Sequence, residues 1–183
     1  MCGIVGVSGN DPALPFLLDG LSRLEYRGYD SSGVALVDGD SVWVRRRAGK
    51  LAELTGAEGD APSAQVGIGH PRWATHGGPT ENNAHPHTDC TGALALVHNG
   101  IIENHVELGD ELLSAGHELR SETDTEVLAH LIEAGMAGGR QLVAQLDVVL
   151  DDPVVDEGQG AGAVGVGVGV GLGRPAVGGP PGV

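Results

Sequence analysis

A chain of 183 residues with 40% apolar residues is long enough for one domain with a hydrophobic core, and its formal net charge of -15 argues against DNA or RNA, which are gripped by Lys and Arg. No stretch approaches the roughly 18 apolar residues that span a bilayer, and the start MCGIVGV lacks the pattern of a secretory signal. A soluble cytoplasmic protein with no nucleic-acid or membrane partner is expected.

Residues 2–8 read as a short apolar strand. Asp11 and Pro12 then offer an N-cap and a first-turn proline for a helix reaching about Leu24, with the apolar stripe Leu14, Leu17, Leu18, Leu21 and Leu24 and a weak point at Gly20. Gly28 ends that segment. Val34–Val37 and Val42–Arg46 read as a β-hairpin turning at Asp38-Gly39, and Val66–His70 and Ala93–His98 as two further strands. Each of the latter runs into a polar cluster, PRWATHGG and NGIIEN, where sites tend to be built.

Asn104 is placed to cap a helix carrying Val106, Leu108, Leu112 and Leu113 and closing at Gly116. A second helix is expected from Thr123 or Asp124, with Val127, Leu128, Leu131 and Ile132 on one face and Gly135, Gly138 and Gly139 marking its end. Hairpins and interleaved helices indicate a layered α+β fold. The reading divides the chain into a domain over residues 1–150 and a low-complexity tail over 151–183.

The tail holds eleven glycines in its last 26 residues, with Val-Gly alternation at 164–171, which is costly to order and is expected to be disordered. Its Gly, Val, Pro and Ala all have GC-rich codons, and the chain has nine Arg against one Lys. A reading-frame shift after about residue 147 is therefore one hypothesis for its origin. An unshifted frame at the locus would remove it.

Cys2 and Cys90 are the only cysteines, too few for a disulfide framework and without CxxC spacing. Cys2 read alone is a small buried hydrophobe in a first strand. Removal of Met1 would give it a free α-amino group, whose ordinary pKa of about 7.7–8.0 suits it to take and return the thiol proton. A thiol attacking an acyl carbon needs donors for the resulting oxyanion. Asn99 offers its amide and Gly100 an unshielded backbone N–H, although Asn-Gly is also an ordinary turn.

An amino-acid substrate further needs a cation and an anion at opposite ends of its pocket. Arg72 can fork a carboxylate and Asp124 can receive an ammonium, or merely cap its helix, while Thr75 and His76 add hydrogen-bonding groups. His70, His76, His85, His87 and His98 fall within 29 residues but match no zinc spacing, and they read as hydrogen-bonding groups at strand ends.

Together CGIVGV (2–7), EYRGYDSSG (25–33), GHPRWATHG (69–77), NAHPH (83–87), HNGIIEN (98–104) and SETDTEV (121–127) resemble the glutamine:fructose-6-phosphate aminotransferase (isomerising) family. The resemblance spans residues 1 to about 147. It implies an N-terminal nucleophile hydrolase fold, an αββα sandwich of two antiparallel sheets between helix layers. It also implies hydrolysis of L-glutamine to glutamate and ammonia through a thioester on Cys2. Asn99 and Gly100 match the family's oxyanion hole. Arg72, Trp73, Thr75, His76 and Asp124 match positions that hold glutamine, His85 matches a pocket residue, and Arg27 lies in a loop over the site. No cofactor and no metal are implied.

The alternatives are a phosphoribosyl-pyrophosphate amidotransferase-type glutaminase, which shares the CGI start and an HNG motif, or an inactive fragment. Pro71 departs from the family pattern by removing a backbone donor beside Arg72. Family members continue with further strands and with isomerase domains that bind fructose 6-phosphate and carry most of the oligomer contacts. Weak or no glutaminase activity is therefore expected of these 183 residues by themselves.

Overall fold

The computed structural model describes residues 2–55, 58–74, 77–137 and 171–172. Its first half is built around a four-stranded antiparallel sheet in the order β1-β4-β2-β3, from strands β1 (Val5–Ser8), β2 (Ser31–Asp38), β3 (Ser41–Ala48) and β4 (Val66–Arg72). Helix α1 (Ala13–Leu24) and the short helix α2 (Leu51–Thr55) cover one face. Leu17 and Leu21 of α1, Val34 and Leu36 of β2, and Leu51 and Leu54 of α2 form the core there.

Leu17 and Leu21 of the stripe expected on α1 are buried and Leu14, Leu18 and Leu24 half-buried, but the cap differs. Pro12 occupies the N-cap and gives no side-chain hydrogen bond, so the helix starts two residues after Asp11. Gly20 is a contact point. A Cβ there would lie 2.7 Å from Val5, so the missing side chain lets α1 settle onto β1. Gly67 and Gly69 of β4 do the same for Leu17 and Leu21, whose carbons lie 2.9 and 3.2 Å from the positions their Cβ atoms would take.

The hairpin closes one residue later than expected. Asp38 pairs with Ser41, so Gly39 (φ +61°) and Asp40 form the loop. β2 also begins earlier, at Ser31, and residues 31–36 are all buried because helices pack on one face and a second sheet on the other. That sheet holds β5 (His87–Thr88), β6 (Leu94–Leu96) and β7 (Gly171–Leu172) in the order β5-β6-β7. A backbone hydrogen bond from Val42 to Gly92 at 2.9 Å links the two sheets, and an apolar cavity of about 280 Å³ opens between them near Val7, Ile68 and Ala95.

Helix α4 (Asp124–Ala137) covers the outer face of the second sheet through Leu128, Ala129 and Ile132 against Leu94 and Leu96. Helix α3 (His105–Ser114) packs on α4 through Leu112, Val127 and Leu131. The result is the expected sandwich of two antiparallel sheets between helical layers. Gly116 (φ +94°) closes α3 as its sequence position suggested, whereas α4 runs through Gly135. Gly138, Gly139 and the expected tail, apart from Gly171 and Leu172, lie outside the described residues.

Gly33 sits where the sandwich is tightest. A Cβ at this position would lie 2.2 Å from the carbonyl oxygen of His85 and 2.8 Å from that of Arg45, both backbone atoms that cannot step aside. Gly33→Ala should therefore cost more than about 2 kcal/mol in urea unfolding, whereas Gly6→Ala in β1, whose methyl meets nothing within 4 Å, should stay within about 0.5 kcal/mol of the parent. Equal effects of the two substitutions would contradict this packing.

Candidate active site

The C-terminal end of β4 brings the chemistry-bearing groups together. Cys2 precedes β1, and its Sγ accepts a hydrogen bond from the Trp73 N–H at 3.1 Å while lying 3.6 Å from the Trp73 carbonyl oxygen, to which the thiol can donate. Trp73 immediately follows β4 and Arg72 ends it, so the thiol lies against the chain segment that carries a buried guanidinium. The Trp73 indole is itself half exposed and lies 3.6 Å from the Cβ position of Gly28. The loop after α1 thus meets the site at Trp73, and Arg27 closes the 3-10 turn Glu25–Arg27 just before it.

Two residues of that loop are tied to their surroundings, Asp30 to the Arg72–Ala74 segment and Tyr29 to the start of α2. Asp30 donates its N–H to the Arg72 carbonyl at 2.9 Å and accepts the Ala74 N–H on Oδ2 at 2.7 Å. Tyr29 accepts the Leu51 N–H at 2.6 Å and donates to Glu25, and its hydroxyl pKa is pushed up to about 12 by burial and by that carboxylate. Neither residue stood out in sequence, although both lie inside the EYRGYDSSG string.

Pro71 leaves Arg72 in register. Arg72 turns its carbonyl toward β2, so the backbone of Pro71 faces the opposite edge, where the pairing of β1 stops at Val5 with Gly69. The missing N–H falls where the ladder has no rung.

Asn99 and Gly100 follow β6. Asn99 Oδ1 accepts a 2.6 Å hydrogen bond from His70 Nε2, which ties the end of the second sheet to β4. The amide oxygen can only accept, so His70 carries its proton on Nε2, and the Asn99 NH₂ is not engaged by this bond. A Cβ on Gly100 would lie 2.8 Å from His98 Nε2, so glycine is needed for the backbone to cross that ring. Two residues on, the Ile102 N–H donates to Asp124 Oδ2 at 2.8 Å, which fixes the buried carboxylate at the start of α4.

Cys2, Trp73, Arg72, Asn99 and Asp124 are therefore joined by one chain of hydrogen bonds and backbone through His70 and Ile102. His85 packs on the rings of His70 and His87, with centroids 4.5 and 4.9 Å away. Thr75 and His76 lie outside the described residues. The apolar cavity between the sheets is lined by none of the candidate residues.

Three imidazoles are buried without a compensating carboxylate contact. Burial pulls His70 down to about 4 and His85 well below its ordinary value. It pulls His87 to about 3 against the opposing influence of Glu126. These groups are neutral in the fold, while the unfolded chain takes up protons below pH of about 6.5. Their depressed values leave stability complete above that pH and drain it as the pH falls toward about 4. Urea unfolding should show a loss of more than about 2 kcal/mol between pH 7.5 and 5.5. A flat profile would contradict the buried neutral assignment.

The profile of the glutamine amidotransferase domain family matches residues 55–156. The glutamine–fructose-6-phosphate aminotransferase (isomerizing) of Symbiobacterium thermophilum is 62% identical over 133 residues, covering 72% of this chain and 22% of that protein. Its counterpart from Aquifex aeolicus is 58% identical over 139 residues, covering 75% and 24%. Among solved structures, the glutamine phosphoribosylpyrophosphate amidotransferase from B. subtilis, complexed with ADP and GMP, superposes with a TM-score of 0.63 at 30% identity, over 79% of this chain and 31% of that one. The chain thus spans between a fifth and a quarter of the length of these aminotransferases. With a family profile matched over more than half of its length, this chain belongs to the glutamine amidotransferase domain family.

Proposed function

We propose that the domain hydrolyses L-glutamine to glutamate and ammonia on Cys2, and that in the whole protein the ammonia is delivered to fructose 6-phosphate to form glucosamine 6-phosphate. The observation that carries this reading is the convergence on β4 of a thiol, a buried cation and an amide-bearing turn: Cys2 against Trp73, Arg72 at the strand end, and Asn99 held by His70. The relatives named above share 58–62% identity with this chain, against 30% for the phosphoribosylpyrophosphate enzyme, which favours the aminosugar reaction as the destination of the ammonia.

The proposed steps need no group beyond this chain's residues and water. Removal of Met1 exposes the α-amine of Cys2, which takes the thiol proton as Sγ attacks the glutamine side-chain carbonyl carbon. The oxygen that becomes negative is met by the Asn99 NH₂, oriented because its Oδ1 is held by His70, and by the Gly100 N–H. The amine returns the proton to the leaving nitrogen, ammonia departs, and a thioester remains on Cys2. Water then adds to that thioester and releases glutamate.

Arg72 and Asp124 supply the opposite charges that the α-carboxylate and α-ammonium of glutamine require. Trp73, Thr75, His76 and His85 complete the proposed pocket, with Arg27 in the loop above it. The isomerase reaction and the oligomer contacts belong to parts of the whole protein outside this sequence.

A glutamine-mimicking electrophile separates this reading from an inert fragment. Mass spectrometry should find one adduct on Cys2 of a chain lacking Met1, absent from Cys2→Ser. Asn99→Ala should slow labelling or turnover by about 10²–10³-fold while leaving the fold intact. Gly100→Ala, which drives a methyl into His98, should also abolish reaction. A chain that folds but is never labelled at Cys2 would overturn the proposal.

A further inference from the structure

On the far side of the second sheet from Cys2, four side chains converge for which the glutaminase reaction has no use. Cys90 lies in the turn between β5 and β6, His117 follows the glycine that closes α3, and His130 and Glu133 stand one turn apart on α4. Cys90 Sγ is 3.6 Å from His117 Nδ1 and 3.4 Å from His130 Nδ1. Glu133 Oε2 is 3.0 Å from His117 Nδ1 and 3.2 Å from His130 Nδ1. One ligand atom from each of the four lies within 4.8 Å of every other.

From this geometry we propose that Cys90, His117, His130 and Glu133 bind a single zinc-class divalent metal ion. Bonds of about 2.0–2.3 Å to N, O and S ligands in a tetrahedron put neighbouring ligand atoms roughly 3.3–3.7 Å apart; the two sulfur–nitrogen separations, 3.6 and 3.4 Å, fall in that range, and the two oxygen–nitrogen separations, 3.0 and 3.2 Å, lie just below it. Hydrogen bonding explains the arrangement less well. A single Nδ1–H on each imidazole cannot point at both the thiol and the carboxylate, yet both rings hold Nδ1 within reach of both. A cation at the centre satisfies all four lone-pair donors at once.

The surroundings fit a ligand role as well. His130 is buried, its Nε2 has no hydrogen-bond partner, and Glu126 Oε1 stands 3.8 Å from it, the carboxylate commonly found behind a metal-bound imidazole. The Cys90 N–H donates to Glu133 Oε2 at 3.1 Å, orienting the carboxylate. One thiolate, two imidazoles and one carboxylate form a closed four-ligand set that suits Zn²⁺ in a structural site better than Mg²⁺ or Ca²⁺. Such an ion would pin the β5–β6 turn and the C-terminal end of α3 to α4, the helix whose first residue is Asp124.

The test uses the full chain freed of metal with a chelator and titrated with Zn²⁺ and, separately, Co²⁺. One ion per chain should bind at micromolar affinity or better, and the Co²⁺ form should show the visible bands of a tetrahedral ion with a thiolate-to-metal transition. Bound Zn²⁺ should shield Cys90 from alkylation, read by mass spectrometry on the unaltered chain, while Cys2 stays open to it. Loss of outer partners commonly weakens metal binding by about 10–100-fold, so Cys90→Ser and His117→Ala should each weaken Zn²⁺ by more than about 100-fold. Cys2→Ser should bind as the parent does. Absence of stoichiometric binding, an octahedral Co²⁺ spectrum without thiolate, or equal alkylation of Cys90 with and without Zn²⁺ would overturn the proposal.

Discussion

The antiparallel pairing of β4 with β1 and β2 is the constraint on which the site depends. β4 is glycine-bearing on the face that meets α1, so Leu17 and Leu21 can press onto it and hold it in the core. With its backbone fixed on both sides, its C-terminal end delivers His70 to Asn99 and the Arg72–Trp73 segment to Cys2. Asp30 clamps the same segment from β2's side. The thiol, which comes from the start of the chain, is thus placed by residues far from it in sequence.

Burial sets the protonation states around that strand. His70 lies in a dry interior where a charged imidazole is disfavoured, and in its neutral form it has one proton to give, which goes to Asn99. The orientation of the Asn99 amide is therefore coupled to the dryness of the sandwich. Opening the layers would cost more than packing area, because it would release the amide proposed to meet the oxyanion.

Much of this was legible from the residues. The long amphipathic stripe of α1 and the Asp-Gly hairpin carry strong local signals, and Cys2, Arg72, Asn99 and Asp124, which are proposed to act on glutamine, stand in recognisable strings. What escaped depends on tertiary contact. β5 and α2 are too short for periodicity and are held by bonds such as Val42 to Gly92 and Leu51 to Tyr29. His70 reads as a hydrogen-bonding group at a strand end, but its partner Asn99 lies 29 positions away, and Asp30 gives no sign that it bonds Ala74, 44 positions away. The proposed metal ligands escaped because Cys90 and Glu133 are 43 positions apart, and only His130 and Glu133 show a local spacing. The histidines crowded between 70 and 98 draw attention to themselves, whereas the convergent set takes His117 and His130 from beyond them.

The central claim is that Cys2 carries the glutamyl group as a thioester. Hydroxylamine competes with water for such an intermediate, so incubation of the chain with glutamine and hydroxylamine measures it directly. For whatever glutamine these 183 residues turn over, the account predicts γ-glutamyl hydroxamate formed at the expense of glutamate and absent from Cys2→Ala. Glutamate release that persists in Cys2→Ala, or glutamine turnover with no hydroxamate, would contradict it.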